Sequence, residues 1–339
     1  MVSLVASVRD ASAEGGGSSE LGIAAPLDPA TTARAPVVWK RTWVDERPAM
    51  YGVAGEGLPV VILHGWGLAH HAYKGAIERL VAQGCRVYAP AQPGFGGTAE
   101  LPKREFSLAG YARWVERFLE AVHIDEPVFL IGHSFGGGVA IRFAYDYPER
   151  VRSLVLVNSI GGSAWKAGSK LKSLADRPLW DWGLHFPSDM WPIPQATKVI
   201  PIMLEDALPN LLRNPRALLK VGFLARRVDL TYELEALKRR ELPVVVLWGT
   251  RDGIIPRESF DALCAAVGAE GQVVDGSHSW LLADPDGFGE VITNAVEVAR
   301  VARELETATP PRRAGFLGKD RKRVRSLRTV VGAKPSDES

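Results

Sequence analysis

The chain is nearly without cysteine: Cys85 and Cys264 are the only two in 339 residues. No disulfide framework can hold such a fold, and neither residue belongs to a Cys-x-x-Cys pair of the kind zinc and redox sites use. Both are expected as partly buried free thiols. Charge of one sign is also lacking. The formal net charge is +2, from 41 basic and 39 acidic residues, which sets up no global field toward nucleic acid or membrane. No apolar run approaches the ~20 residues of a membrane span. The opening MVSLVASVRDASAEGGGSSE has only a short apolar stretch, broken by Arg9 and Asp10, so no secretory leader is expected and a cytoplasmic location is. No Lys-Ser/Thr follows Gly94-Phe95-Gly96-Gly97-Thr98, so this loop is not a phosphate cradle. His70 and His71 have no carboxylates beside them, read as surface residues, and indicate no metal. No cofactor is expected.

What remains is an ordinary globular composition, 46% hydrophobic and 24% charged. Residues 1–36, rich in Gly, Ala, Ser and Thr, read as a disordered arm. Strands are expected at Val37–Val44, Ala49–Val53, Val60–Leu63, from Cys85, at Val128–Ile131, Val151–Val157 and Val244–Trp248, with a last short one before Asp275. Helical spacing lies between them at Tyr73–Gln83, Ser107–Val122 (Ser107 as N-cap), about Gly137–Tyr147, Ser259–Val267 and Phe288–Leu305. Alternation of this kind requires a mostly parallel sheet with helices on both faces, an α/β fold. The alternation stops over residues 161–237, which are rich in Trp and Pro and read as a helical cap. It divides the core into residues 37–160 and 238–306. Residues 307–339 form a basic tail. Its segment from Arg312 to Arg328 reads either as solvated chain or as a weak electrostatic contact with an anionic surface.

Gly132-His133-Ser134-Phe135-Gly136 matches Gly-x-Ser-x-Gly. The pentapeptide gains its weight from context: a strand leads in and a helix leaves, as a nucleophile at a sharp turn requires. A serine hydroxyl needs a base. Of seven histidines, only His278 falls in a loop after the last strand. The acid that orients it belongs at another strand end, between serine and histidine. Asp252, after Val244–Trp248, fits; the other such position carries Asn158, which holds no charge. Ser134, Asp252 and His278 are therefore the expected catalytic triad.

With His64-Gly65-Trp66-Gly67 upstream, this order resembles the α/β-hydrolase fold superfamily over about Val37 to Leu305. Within it, the chain resembles the capped esterases, lactonases and carbon–carbon hydrolases. The resemblance implies an eight-stranded, mostly parallel sheet, a cap, and an oxyanion hole from the backbone N–H groups of Trp66 and Phe135. It implies no epoxide or halide chemistry, since those relatives use an aspartate where Ser134 stands. His64 is expected as a buried, hydrogen-bonded shaping residue. Trp66, Phe135, Trp191 and Trp280 are candidate substrate contacts. The expected activity is hydrolysis of an ester or lactone through an acyl-serine. Carbon–carbon hydrolysis, acyl transfer, or a small-molecule receptor with residual hydrolysis are the alternatives. The expected partner is a small-molecule substrate, and no nucleic acid.

Overall fold

The strands that form the centre of the molecule are written almost wholly in branched and aliphatic residues. The computed structural model describes residues 36–162 and 193–308. The N-terminal arm, most of the first half of the expected cap, Trp191 and the basic tail lie outside the described residues.

Eight strands are found: β1 Val38–Val44, β2 Arg47–Ala54, β3 Leu58–Leu63, β4 Cys85–Pro90, β5 Val128–His133, β6 Val151–Val157, β7 Val244–Gly249 and β8 Gly271–Val274. They form one sheet in the order β1-β2-β4-β3-β5-β6-β7-β8. β2 runs antiparallel to both β1 and β4, and every other pairing is parallel. β1 and β2 are joined by Asp45 and Glu46, both at positive φ (50° and 60°), the two-residue geometry that matches strand twist.

Ten helices are described: α1 Lys74–Ala82, α2 Leu108–Ala121, α3 Phe135–Asp146, α4 Ile193–Ile202, α5 Leu208–Arg213, α6 Pro215–Ala225, α7 Thr231–Arg239, α8 Arg257–Val267, α9 Trp280–Ala283 and α10 Pro285–Ala308. Ser107 caps α2 by accepting from Gly110 N–H at 3.1 Å, as its place in the sequence suggests. Alternation along each strand sorts side chains into two cores. Val61, Leu63, Leu130 and Leu156 meet α2, α3 and α8 on one face. Val60, Ile62, Phe129 and Val157 meet α1 and α10 on the other. β3, β5 and β6 are buried along their whole length, as parallel strands covered on both sides must be. No helix among the described residues is long and apolar enough to cross a membrane.

Two boundaries differ from the sequence expectation. α3 starts at Phe135, directly after Ser134, rather than near Gly137. The glycines there are helical because the helix lies against other backbone: a Cβ on Gly136 would lie 2.2 Å from Leu63 O. α10 starts at Pro285, which the first turn of a helix accepts readily, and not at Phe288. His70 also departs from its surface reading. It is 1% exposed and only His71 is exposed.

Three histidines, His64, His70 and His133, are buried at the carboxyl edge of the sheet. Burial pushes them down to about 4, about 3 and about 3 respectively. The unfolded chain therefore takes up protons that the folded chain refuses. Stability is complete above about pH 6.5 and falls as pH drops toward 4, by about 1.4 kcal/mol per pH unit for each histidine. Urea midpoints at pH 7.5, 6 and 5 should decline accordingly; a flat midpoint would contradict neutral burial of the three. Separately, Gly136→Ala forces a methyl into backbone and should lower stability by about 1–3 kcal/mol, read as a drop in thermal midpoint.

Candidate active site

Ser134 stands between β5 and α3 with φ 53° and ψ −117°, a strained conformation for a residue with a side chain. The neighbouring strand holds it there. Ser134 N–H donates to Val157 O at 3.0 Å, and Ser134 O accepts from Gly137 N–H at 3.0 Å and Ile160 N–H at 3.3 Å. The turn is too tight for side chains on either flank: a Cβ on Gly132 would lie 2.5 Å from Gly137 Cα. This is why glycines sit at 132 and 136. Phe135, as the first residue of α3, offers one of the N–H groups that a helix cannot satisfy internally.

The parallel sheet brings the ends of β3, β5, β6, β7 and β8 to one edge, and Asp252 and His278 meet there. His278 Nδ1 lies 2.8 Å from Asp252 Oδ2, with the two side chains 7% and 0% exposed. Asp252 is surrounded by donors. Its Oδ1 accepts from Ile254 and Ile255 N–H at 2.7 and 2.8 Å. Its Oδ2 also accepts from Asn158 Nδ2 at 2.5 Å. A carboxylate oxygen at this distance accepts from His278 Nδ1–H and so fixes which ring nitrogen carries the proton. Nε2 is then the basic nitrogen.

Asn158 was considered in the sequence only as the wrong residue for the acid. In the structure it supports Asp252. It ends β6 at φ 45°, and its Oδ1 accepts from Trp280 Nε1 at 2.9 Å. Tyr73 and His133 form a second buried link that the sequence did not reveal. Gly65 N–H donates to Tyr73 Oη at 2.9 Å, and Tyr73 O–H lies 2.6 Å from His133 Nδ1. His133 Nε2 lies 3.0 Å from His278 O. The one consistent proton order has Tyr73 donating to Nδ1 and the Nε2–H of His133 donating to the carbonyl. His133, next to Ser134 in sequence, is thus fastened to both the Gly65 loop and the His278 loop, and its ring centroid lies 5.1 Å from that of His278.

His64 is a buried shaping residue. Its Nδ1 lies 2.8 Å from Gly65 O, and its Nε2 accepts from Gln92 N–H at 2.7 Å. Gln92 Nε2 donates in return to His64 O at 2.6 Å. A Cβ on Gly65 would lie 3.3 Å from Ser134 Cβ, so the loop carrying Trp66 passes directly beside the serine. The helices between β6 and β7 clamp this loop from outside. Trp66 Nε1 donates to Leu218 O at 2.7 Å, and Asn210 Nδ2 donates to Gly67 O at 3.0 Å. Asp206 Oδ2 accepts from Ala69 and Ala72 N–H at 2.7 and 3.1 Å. Burial works against the Asp206 charge, but the His71 imidazole and these N–H groups outweigh it and hold the carboxyl below its usual range.

Two of the four candidate substrate rings have other roles. The Phe135 ring is buried in the core and meets Tyr111 edge-on at 5.2 Å between centroids. Trp280 is buried against Phe288, with its N–H taken by Asn158. Both side chains are packed in the core. Trp66 remains half-buried, and Trp191 lies outside the described residues. Among the described residues, no group of three or more His, Cys, Asp or Glu side chains could hold a metal ion.

Comparison with known proteins agrees with this architecture. A family model of the alpha/beta hydrolase fold matches residues 59–186. An uncharacterized protein of Mycobacterium tuberculosis is 29% identical over 309 residues, 83% of this chain and 87% of its own. The pimeloyl-[acyl-carrier protein] methyl ester esterase of Aeromonas hydrophila is 28% identical over 256 residues, 71% of this chain and 96% of its own. Among solved structures, a meta-cleavage product hydrolase from Pseudomonas fluorescens superposes with a TM-score of 0.58 at 21% identity, covering 77% of this chain and 98% of that one. The strand order, the serine turn after β5 and these likenesses together show that the chain has the alpha/beta hydrolase fold.

Proposed function

We propose that this protein is a serine hydrolase that cleaves a carboxylic ester or lactone through an acyl-Ser134 intermediate. The observation that carries this reading is the buried Asp252–His278 pair at 2.8 Å, on the same strand edge as a serine held at positive φ. His278 Nε2 takes the Ser134 hydroxyl proton as Oγ attacks the carbonyl carbon. The N–H groups of Trp66 and Phe135 stabilise the oxyanion that forms. As the tetrahedral species collapses, the leaving oxygen takes the proton from His278 and departs as an alcohol, or as the free hydroxyl end of an opened lactone. Water then attacks the acyl-enzyme by the same route, returning Ser134 Oγ–H and releasing the acid. Asp252 remains ionised throughout.

The helices from Ile193 to Arg239 are read as part of a cap over this site. Acyl transfer and carbon–carbon hydrolysis would use the same three residues, and a panel of esters, lactones and alcohol acceptors separates them by product. A receptor with residual hydrolysis would bind ligand with a large thermal shift but turn over far below the ~10 per second median.

A fluorophosphonate probe should label the protein stoichiometrically, and Ser134→Ala should abolish the labelling while the fold is retained. Absence of labelling in folded wild type would overturn the reading. Asn158→Leu removes one donor to Asp252 and leaves the Trp280 N–H unpartnered. It should reduce turnover by about tenfold, about 1.4 kcal/mol, with KM little changed. Steady-state kinetics on an ester found by the panel measures this.

A further inference from the structure

The outer face of the helices between β6 and β7 carries large apolar side chains that the fold leaves in solvent. Ile200, Leu204, Leu208 and Leu212 recur every fourth residue across α4, the π-helical turn Met203–Ala207 and α5, and are 40% to 73% exposed. Leu219 and Phe223, also four apart, continue the pattern on α6 at 55% and 46%. The opposite faces of the same helices are buried. Val199, Asp206 and Asn210 point to the core from the first stretch, and Ala217, Val221 and Ala225 do so from α6. The segment is therefore amphipathic in the reverse of the usual sense, with leucines turned outward.

Charge on this face is predominantly basic, with Glu205 the one exposed acid between residues 198 and 227. Lys198, Arg213, Arg216 and Arg227 are exposed and have no ion pair among the described residues; Lys220 is exposed and pairs with Glu100 at 3.5 Å. Between residues 198 and 227 the acids are Asp206, which is buried, and Glu205. An exposed band of aliphatic side chains interleaved with basic ones has a defined complement. The apolar groups enter the acyl region of a bilayer while the Lys and Arg groups meet anionic headgroups. A second copy of the chain would present the same positive charge and oppose it.

We propose that the α4–α6 face is an interfacial surface by which the protein docks on an anionic lipid bilayer. The docking does not depend on the proposed reaction. It is also distinct from a contact made by the basic tail.

The test is co-sedimentation of the full chain with vesicles of phosphatidylcholine alone and of phosphatidylcholine mixed with phosphatidylglycerol. Binding is expected to the anionic vesicles and to weaken with salt. The paired substitution Leu212→Glu and Phe223→Glu, both at exposed positions, should weaken it by about tenfold or more without lowering the thermal midpoint. The tail substitutions Arg321→Gln, Lys322→Gln and Arg323→Gln should leave it within about twofold of wild type. The proposal is overturned if wild type does not bind anionic vesicles, or if the Leu212/Phe223 variant binds as wild type does. It is also overturned if the tail substitutions alone abolish binding, or if the face instead drives concentration-dependent dimerisation in analytical ultracentrifugation. Fluorophosphonate labelling of Ser134 in each variant reports separately on the reaction.

Discussion

The carboxylate of Asp252 is the charge about which the carboxyl edge of the sheet is organised. A buried ion is tolerated only when its lone pairs are occupied, and this one draws donors from three parts of the chain. Ile254 and Ile255 come from its own loop, Asn158 from the end of β6, and His278 from the loop after β8. Each of these segments is thereby held in a fixed relation to the others. Asn158 passes the constraint on to Trp280, and His278 passes it through its carbonyl to His133, beside Ser134. The geometry at the serine thus follows from satisfying one negative charge under a layer of apolar residues.

A second constraint acts on the opposite side of Ser134. Gly65 must lie within van der Waals reach of the serine, and this residue has no side chain of its own to hold it there. Its anchorage comes from outside: Tyr73 holds Gly65 N–H, Gln92 holds His64, and Asp206, Asn210 and Leu218 hold the residues that follow. The helices between β6 and β7 are in this respect part of the site's framework as well as a cover for it.

The parts of this arrangement legible in the sequence are those encoded locally or by order. The Ser134 turn is written in five consecutive residues between an apolar strand and a helix. Asp252 and His278 follow from being polar residues just past strand ends, in the right sequence. The sheet was legible because β3, β5 and β6 are unbroken apolar runs. The supporting residues were not, because their partners are remote: Tyr73 and His133 are 60 residues apart, and Asn158 and Trp280 are 122 apart. No periodicity marks such pairs. The start of α3 was misread because Gly136, Gly137 and Gly138 suggest a loop by propensity, whereas close packing against β3 and Ser159 is what selects glycine there. The packing of the Trp280 and Phe135 rings was not legible for a related reason, since position in sequence does not tell which way a ring points.

The outer helices are fastened to the core at four-residue intervals that continue across the break at Asn214 between α5 and α6. Asp206, Asn210, Asn214 and Leu218 each bond to a core loop or its side chains, at intervals of four residues. Adding or removing one residue within α5 would rotate the helix between that point and the break by about 100° and turn its bonding groups away from the core. The same rotation would carry the outward leucines inward. The length of this stretch is therefore fixed by two surfaces at once, and changes in chain length are accommodated only outside it.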